Sequence, residues 1–142
     1  MQTVEERLAS PGTLSPEEIR ANRDALGQRL LSDPDAKVRA DIAAALAYTA
    51  RDRQSIPVLA RALEAERDVG VQRRLVAALA SFTDPDAVDA VVKFWLRGPD
   101  PSLEPDVLGA LGGADPGLVR ASLARHESLS PERAAQALAS LP

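Results

Sequence analysis

The chain contains no cysteine, which removes disulfides, thiolate nucleophiles and every cysteine-ligated zinc or iron–sulfur site. Aromatic residues are nearly as scarce, at one tryptophan, one tyrosine and two phenylalanines. The β-branched residues are too dispersed to make the alternating runs that strands require. Positive charge is in deficit: 17 Lys and Arg face 21 Asp and Glu, for a net charge of -4. That balance opposes nucleic acid, whose phosphates are met by clustered cations, and only Arg73 and Arg74 stand side by side. No uncharged apolar run approaches the roughly 18 residues of a membrane span. The opening residues Met1-Gln2-Thr3-Val4-Glu5-Glu6 do not form a basic-then-apolar leader, so the expected location is the cytoplasm and no membrane partner is expected.

What is abundant is alanine, with 26 residues, and leucine, with 19. Helix is the regular structure this composition favours. Helix starts are marked by an Asp or Ser, able to accept a bond from a free backbone N–H, followed by a Pro whose φ suits the first turn. This signal occurs at Ser15-Pro16, Asp33-Pro34, Asp84-Pro85, Asp100-Pro101, Asp115-Pro116 and Ser130-Pro131, with Glu18 completing a capping box after Ser15. Ser10-Pro11 is a decoy, because Gly12 and Thr13 follow it. Apolar spacing then predicts about nine helices near 2–10, 16–32, 35–49, 55–66, 70–82, 86–97, 102–112, 116–127 and 131–140. Short connections make neighbouring helices antiparallel hairpins.

The hairpins repeat. Val38, Ile42 and Leu46 recur as Val71, Leu75 and Leu79 and again as Leu103, Val107 and Leu111, and Ala134-x3-Leu138 begins a further copy. Second helices align as Ile56-x2-Leu59-x3-Leu63, Val88-x2-Val91-x3-Trp95 and, more weakly, Val119-x2-Ser122-x3-His126. A period in this range is the mark of a solenoid. The segment from Asp33 to Ala47, with its Asp-Pro, Val-Arg and alanine-rich Ala-Leu pattern, resembles the first helix of a HEAT-like repeat of the phycobilin-lyase type. The copies from Asp68 and Asp100 keep much of it but have Gln72 and Glu104 in place of Arg39. The resemblance implies an all-α α-solenoid of antiparallel hairpins and a scaffold or partner-binding role. The resemblance covers about residues 33–127, and the length suits a single domain over 1–142: an N-terminal pair over 1–32, repeats over 33–67, 68–99 and 100–127, and a C-terminal capping half-repeat over 130–142.

Most conspicuous residues have a packing explanation. Trp95 aligns with Leu63 and belongs to the core. Phe94 lies beside that stripe in a helix apolar nearly all round, so it is either deeply buried or part of an exposed apolar patch. His126 is a lone histidine with no positioned partner implied by spacing, which argues against acid–base catalysis. The di-iron members of the resembled family carry His-Glu pairs, and the single His126-Glu127 cannot assemble such a site; no metal or other cofactor is expected. The paired carboxylates of Asp33-Pro34-Asp35 and Asp84-Pro85-Asp86 are accounted for by capping. Gly109, Gly112 and Gly113 lack the Lys-Ser or Lys-Thr of a phosphate loop and read as a weakened helix end.

The resemblance places binding on the second-helix, concave face. The side opposite Ile56, Leu59 and Leu63 carries Arg61, and the same phase carries Lys93 with Arg97 beside it, then Arg120, flanked by Phe94. The expected function is therefore a non-catalytic scaffold whose partner is a protein, docked by Arg61, Lys93, Phe94, Arg97 and Arg120. The rival classes are an accessory subunit of a lyase-like or other enzyme, which would show visible absorbance from a bound tetrapyrrole, and a nucleic-acid-binding solenoid, which the acidic balance disfavours.

Overall fold

The short polar side chains that mark helix starts find backbone donors at most of the expected places. The computed structural model describes residues 2–142, and among these it contains ten α-helices and no strand. They are α1 (Val4–Arg7), α2 (Pro16–Ala21), α3 (Arg23–Ser32), α4 (Ala36–Ala44), α5 (Ile56–Ala65), α6 (Val69–Ala80), α7 (Pro85–Leu96), α8 (Glu104–Gly113), α9 (Pro116–His126) and α10 (Pro131–Ala139). Ser15 and Glu18 form the capping box in both directions, at 3.1 and 2.9 Å. Asp115 caps α9 and Ser130 caps α10.

Two starts differ. At α4 the cap is Asp35, which accepts from the Lys37 N–H at 2.9 Å, while Asp33 accepts from the Asp35 N–H one step earlier. At α7, Asp84 stands in the cap position without a capping bond and instead pairs at 2.5 Å with Arg53, in the turn between α4 and α5. Three expected helices are also reshaped. The 16–32 segment breaks at Asn22, whose side-chain amide donates to the Glu18 carbonyl at 2.7 Å and competes with the helical ladder. The 35–49 segment ends in a π-turn over Ala45–Thr49, closed by the Ala50 N–H on the Ala45 carbonyl, which leaves Tyr48 55% exposed. The 2–10 segment shortens to one turn, because Ser10 precedes Pro11 and that proline opens a 3₁₀ turn over Pro11–Thr13.

The helices form two rows. α4, α6 and α8 pack in sequence as first helices, and α3, α5, α7 and α9 as second helices. The repeated apolar triplets form columns through the stack. Ile42, Leu75 and Val107 are fully enclosed, as are Leu46, Leu79 and Leu111. In the second row Ile56, Val88 and Val119 are buried in turn. Each such leucine contributes roughly 1.5–3 kcal/mol that its own hairpin does not supply. The fourth copy departs from the column: Ala134 is buried, but Leu138 is 44% exposed and Ala137 takes the inward place.

Polar rungs run within and between the hairpins. Arg39 reaches the Glu66 carboxylate through two nitrogens, at 3.0 and 3.1 Å, and also donates to the Asp33 carbonyl. Arg23 bridges to Asp52, and Arg73 to Asp106. Trp95 is core, as its alignment implies, but it also ties down the end of the stack. Its indole N–H donates to the Arg133 carbonyl at 2.8 Å, and the Arg133 guanidinium lies over its ring at 4.8 Å. Gly98, at φ 81, turns the chain away beside that guanidinium.

Truncating this side chain should remove both core volume and the tether. Trp95→Ala is expected to lower stability by roughly 3–5 kcal/mol in urea denaturation. Trp95→Phe, which keeps a ring but not the N–H, should cost markedly less. Equal losses for the two variants would show that the indole bond, not the packing, dominates.

Candidate functional site

The expected binding residues lie on α5, α7 and α9, but they are not equivalent. Arg61 is exposed on α5, beside a groove of about 250 Å³ against α3 whose lining includes Asp24, Gln28 and Leu31. Arg97, at the end of α7, and Arg120, on α9, are exposed as well, and none of the three is in an ion pair among the described residues. Lys93 is half-buried, with its ammonium 3.5 Å from Asp89.

Phe94 differs from its expected role as an accessible anchor. It retains 9% of its surface and packs beside Ala60 and Leu63 of α5. Of the two alternatives open for α7, the deeply buried one holds. Its residues Ala87, Val88, Val91, Val92, Phe94, Trp95 and Leu96 are all buried, because the helix has neighbours on several sides: α5, α6, α8, α9 and α10.

A residue that sequence reasoning passed over organises this face. Asp89 of α7 receives three side chains of α9 on a single oxygen, Oδ1: the Ser122 hydroxyl at 2.8 Å, the Arg125 guanidinium at 3.1 Å and His126 Nε2 at 2.9 Å. The signal was present in the repeat, since Ser122 and His126 occupy phases that are apolar in the other second helices, and a polar side chain there needs a polar partner. Burial alone pushes the Asp89 pKa up. The bonds from Ser122, Arg125 and His126 outweigh it, so its carboxyl titrates below the ordinary aspartate range.

The residue types resemble a nucleophilic triad, but the connectivity does not. The Ser122 hydroxyl donates its hydrogen bond to Asp89 rather than to His126, and Ser122 is 1% exposed. What this arrangement does chemically is lock α9 to α7 and hold Lys93 and Arg125 on the surface between them. Among the described residues no group of three or more His, Asp or Glu side chains is placed to hold a metal ion. No helix is long and apolar enough to cross a membrane.

The two-row stack, its columns of enclosed side chains and the arginine rungs between hairpins agree with a comparison against family models, in which the HEAT-repeat model matches residues 23–112, well over half of the chain. The protein belongs to the HEAT-repeat family. Searches of curated proteins and of solved structures found no match to it. The match opens at the head of α3 and closes at the end of α8, so it takes in the HEAT hairpins α4–α5 and α6–α7 whole. HEAT repeats are in general protein-interaction scaffolds.

The lowered Asp89 pKa fixes the sign of a pH effect. A carboxyl whose folded pKa lies below its unfolded value, about 3.9, stabilises the protein above that value, and the contribution is lost as pH falls through the folded pKa. Asp89→Asn should therefore be less stable than the parent near neutrality, by about 1–3 kcal/mol. The gap should hold down to about pH 4 and close only as pH falls further, through the lowered folded pKa. Urea denaturation at a series of pH values checks this, and a gap that stays constant would show that Asp89 acts without its charge.

Proposed function

We propose that this HEAT protein is a non-catalytic scaffold that docks an acidic, helical segment of a protein partner across the exposed side of α5, α7 and α9. The observation that carries the proposal is the contrast among its arginines. Seven of the fifteen arginines are in ion pairs with the chain's own carboxylates; of the eight that are in none among the described residues, Arg20, Arg51, Arg67, Arg74 and Arg133 are scattered, whereas Arg61, Arg97 and Arg120 stand exposed on three consecutive second helices. Unpaired guanidinium groups on one side of a net-negative protein favour carboxylates supplied from outside, through planar bidentate bonds and electrostatic steering. A helical segment suits a surface built of parallel ridges and grooves, such as the groove beside Arg61.

Within this proposal Lys93 contributes charge at the edge of the Asp89 cluster, and Phe94 supports the face from beneath. Phe94→Ala therefore belongs with Trp95→Ala as a core truncation, a reversal of what its place beside the charged stripe suggests.

The test is a triple charge reversal, Arg61→Glu, Arg97→Glu and Arg120→Glu, in affinity capture from the native cell extract followed by mass spectrometry. All three side chains are exposed, so circular dichroism and melting should match the parent. Partners held by the parent at low salt, and released as ionic strength rises, should be absent from the variant. An unchanged set of partners on a correctly folded variant would place the binding surface elsewhere.

A further inference from the structure

At the turn-bearing edge of the stack, hairpins α6–α7 and α8–α9 enclose an apolar recess of about 270 Å³. Leu79, Phe82, Val88, Val91, Leu111 and Leu118 supply its apolar wall, and Thr83 and Asp115 are its polar members. The repeat itself explains why the recess is there. Aligning Leu79 with Leu111 sets Gly113 and Ala114 where the preceding hairpin has Ser81 and Phe82. One turn earlier the corresponding space is covered. Arg51 lies over the Phe82 ring at 4.6 Å and donates to Ser81. Next to Ala114 no such side chain is available, and a Cβ added at Gly113 would meet nothing within 4 Å.

The size and the charge of the recess restrict what it takes. An apolar cavity of about 150 Å³ accommodates a benzene ring, whereas sites for drug-sized ligands start near 300 Å³. The recess is therefore the size of one large side chain with room to spare. Its rim is acidic. Asp115 spends Oδ1 on the Gly117 and Leu118 N–H groups, leaving Oδ2 without a bond, and it makes no ion pair among the described residues. Asp86, exposed just before the lining residue Ala87, is likewise in no ion pair among them.

We propose that this recess anchors a partner protein segment in which an aromatic or leucyl side chain stands next to a lysine or arginine. The apolar side chain enters between Phe82 and Leu118, and the neighbouring cation meets the Asp115 carboxylate, with Asp86 adding to the field. This site lies at the edge of the stack and is independent of the arginines on the second-helix face.

The test is an amide NMR titration of the full chain with the peptide acetyl-Lys-Phe-Lys-amide, alongside acetyl-Glu-Phe-Glu-amide, acetyl-Lys-Ala-Lys-amide and phenethylamine. Saturable shifts are expected at Thr83, Gly113, Ala114 and Asp115, with the Lys-Phe-Lys peptide the tightest of the four probes. Ala114→Phe, which restores the side chain of the preceding repeat, should abolish these shifts. Gly109→Leu, on α8 outside the recess and also in open space, should leave them intact. Asp115→Asn keeps the helix cap but removes the charge, and should weaken the Lys-Phe-Lys peptide by roughly two- to fivefold, the weight of one exposed ion pair. The proposal is overturned if the Lys-Phe-Lys peptide leaves these amides unmoved, or if the Glu-Phe-Glu or Lys-Ala-Lys peptide binds equally well. Phenethylamine binding as tightly as the peptide would reassign the recess to a small amine. Should Ala114→Phe fail to fold, the Asp115→Asn comparison and the peptide series decide the matter without it.

Discussion

Everything in this molecule depends on the burial of one hairpin's apolar stripe by the next. A two-helix hairpin of this length exposes its inner leucines when alone, and only a neighbour in register removes them from water. The enclosed columns Ile42–Leu75–Val107 and Leu46–Leu79–Leu111 are that constraint made visible. Register is then fixed by polar rungs of defined reach. Arg23 on Asp52, Arg53 on Asp84 and Arg73 on Asp106 each connect elements roughly one repeat apart, so a slip of one helical turn would strand several charges at once.

Given that constraint, departures from the repeat carry more information than its conserved positions. The third hairpin departs twice. In its second helix, Ser122 and His126 replace apolar residues and are satisfied by Asp89, which converts part of the α7–α9 contact from apolar packing to a charged cluster. In its turn, Gly113 and Ala114 replace Ser81 and Phe82 and open a recess beside an unpaired carboxylate. Local rules broken without loss of the fold are where function is to be sought. The arginines of the second-helix face follow the same logic, since they stand apart from the ion pairs that occupy most of the others.

The columns were legible in the sequence because the repeat period places Val71, Leu75 and Leu79 inside without any knowledge of their neighbours. The caps at Ser15, Asp115 and Ser130 were legible for a similar reason, being local chemistry between residues two or three apart. What escaped was pairing across helices. Asp84 reads as a cap, yet Arg53, in the turn between α4 and α5, claims it. Asp89 reads as an ordinary surface carboxylate until α9 is laid against α7. Phe94 was ambiguous because helical phase identifies a stripe but not how many neighbours a helix has, and α7 has more than its period alone requires. The break at Asn22 and the π-turn at Ala45–Thr49 turn on single side-chain and backbone bonds that apolar spacing does not register.

If stacking between hairpins is the source of stability, protection must be greatest where a hairpin has neighbours on both sides. Native-state hydrogen exchange measures this directly, residue by residue. The slowest amides are expected in α6 and α7, the hairpin enclosed by α4–α5 on one side and α8–α9 on the other, with protection falling through α3 and α9 to α1 and α10. Protection that was uniform along the chain, or highest in an end hairpin, would contradict the dependence of each hairpin on its neighbours.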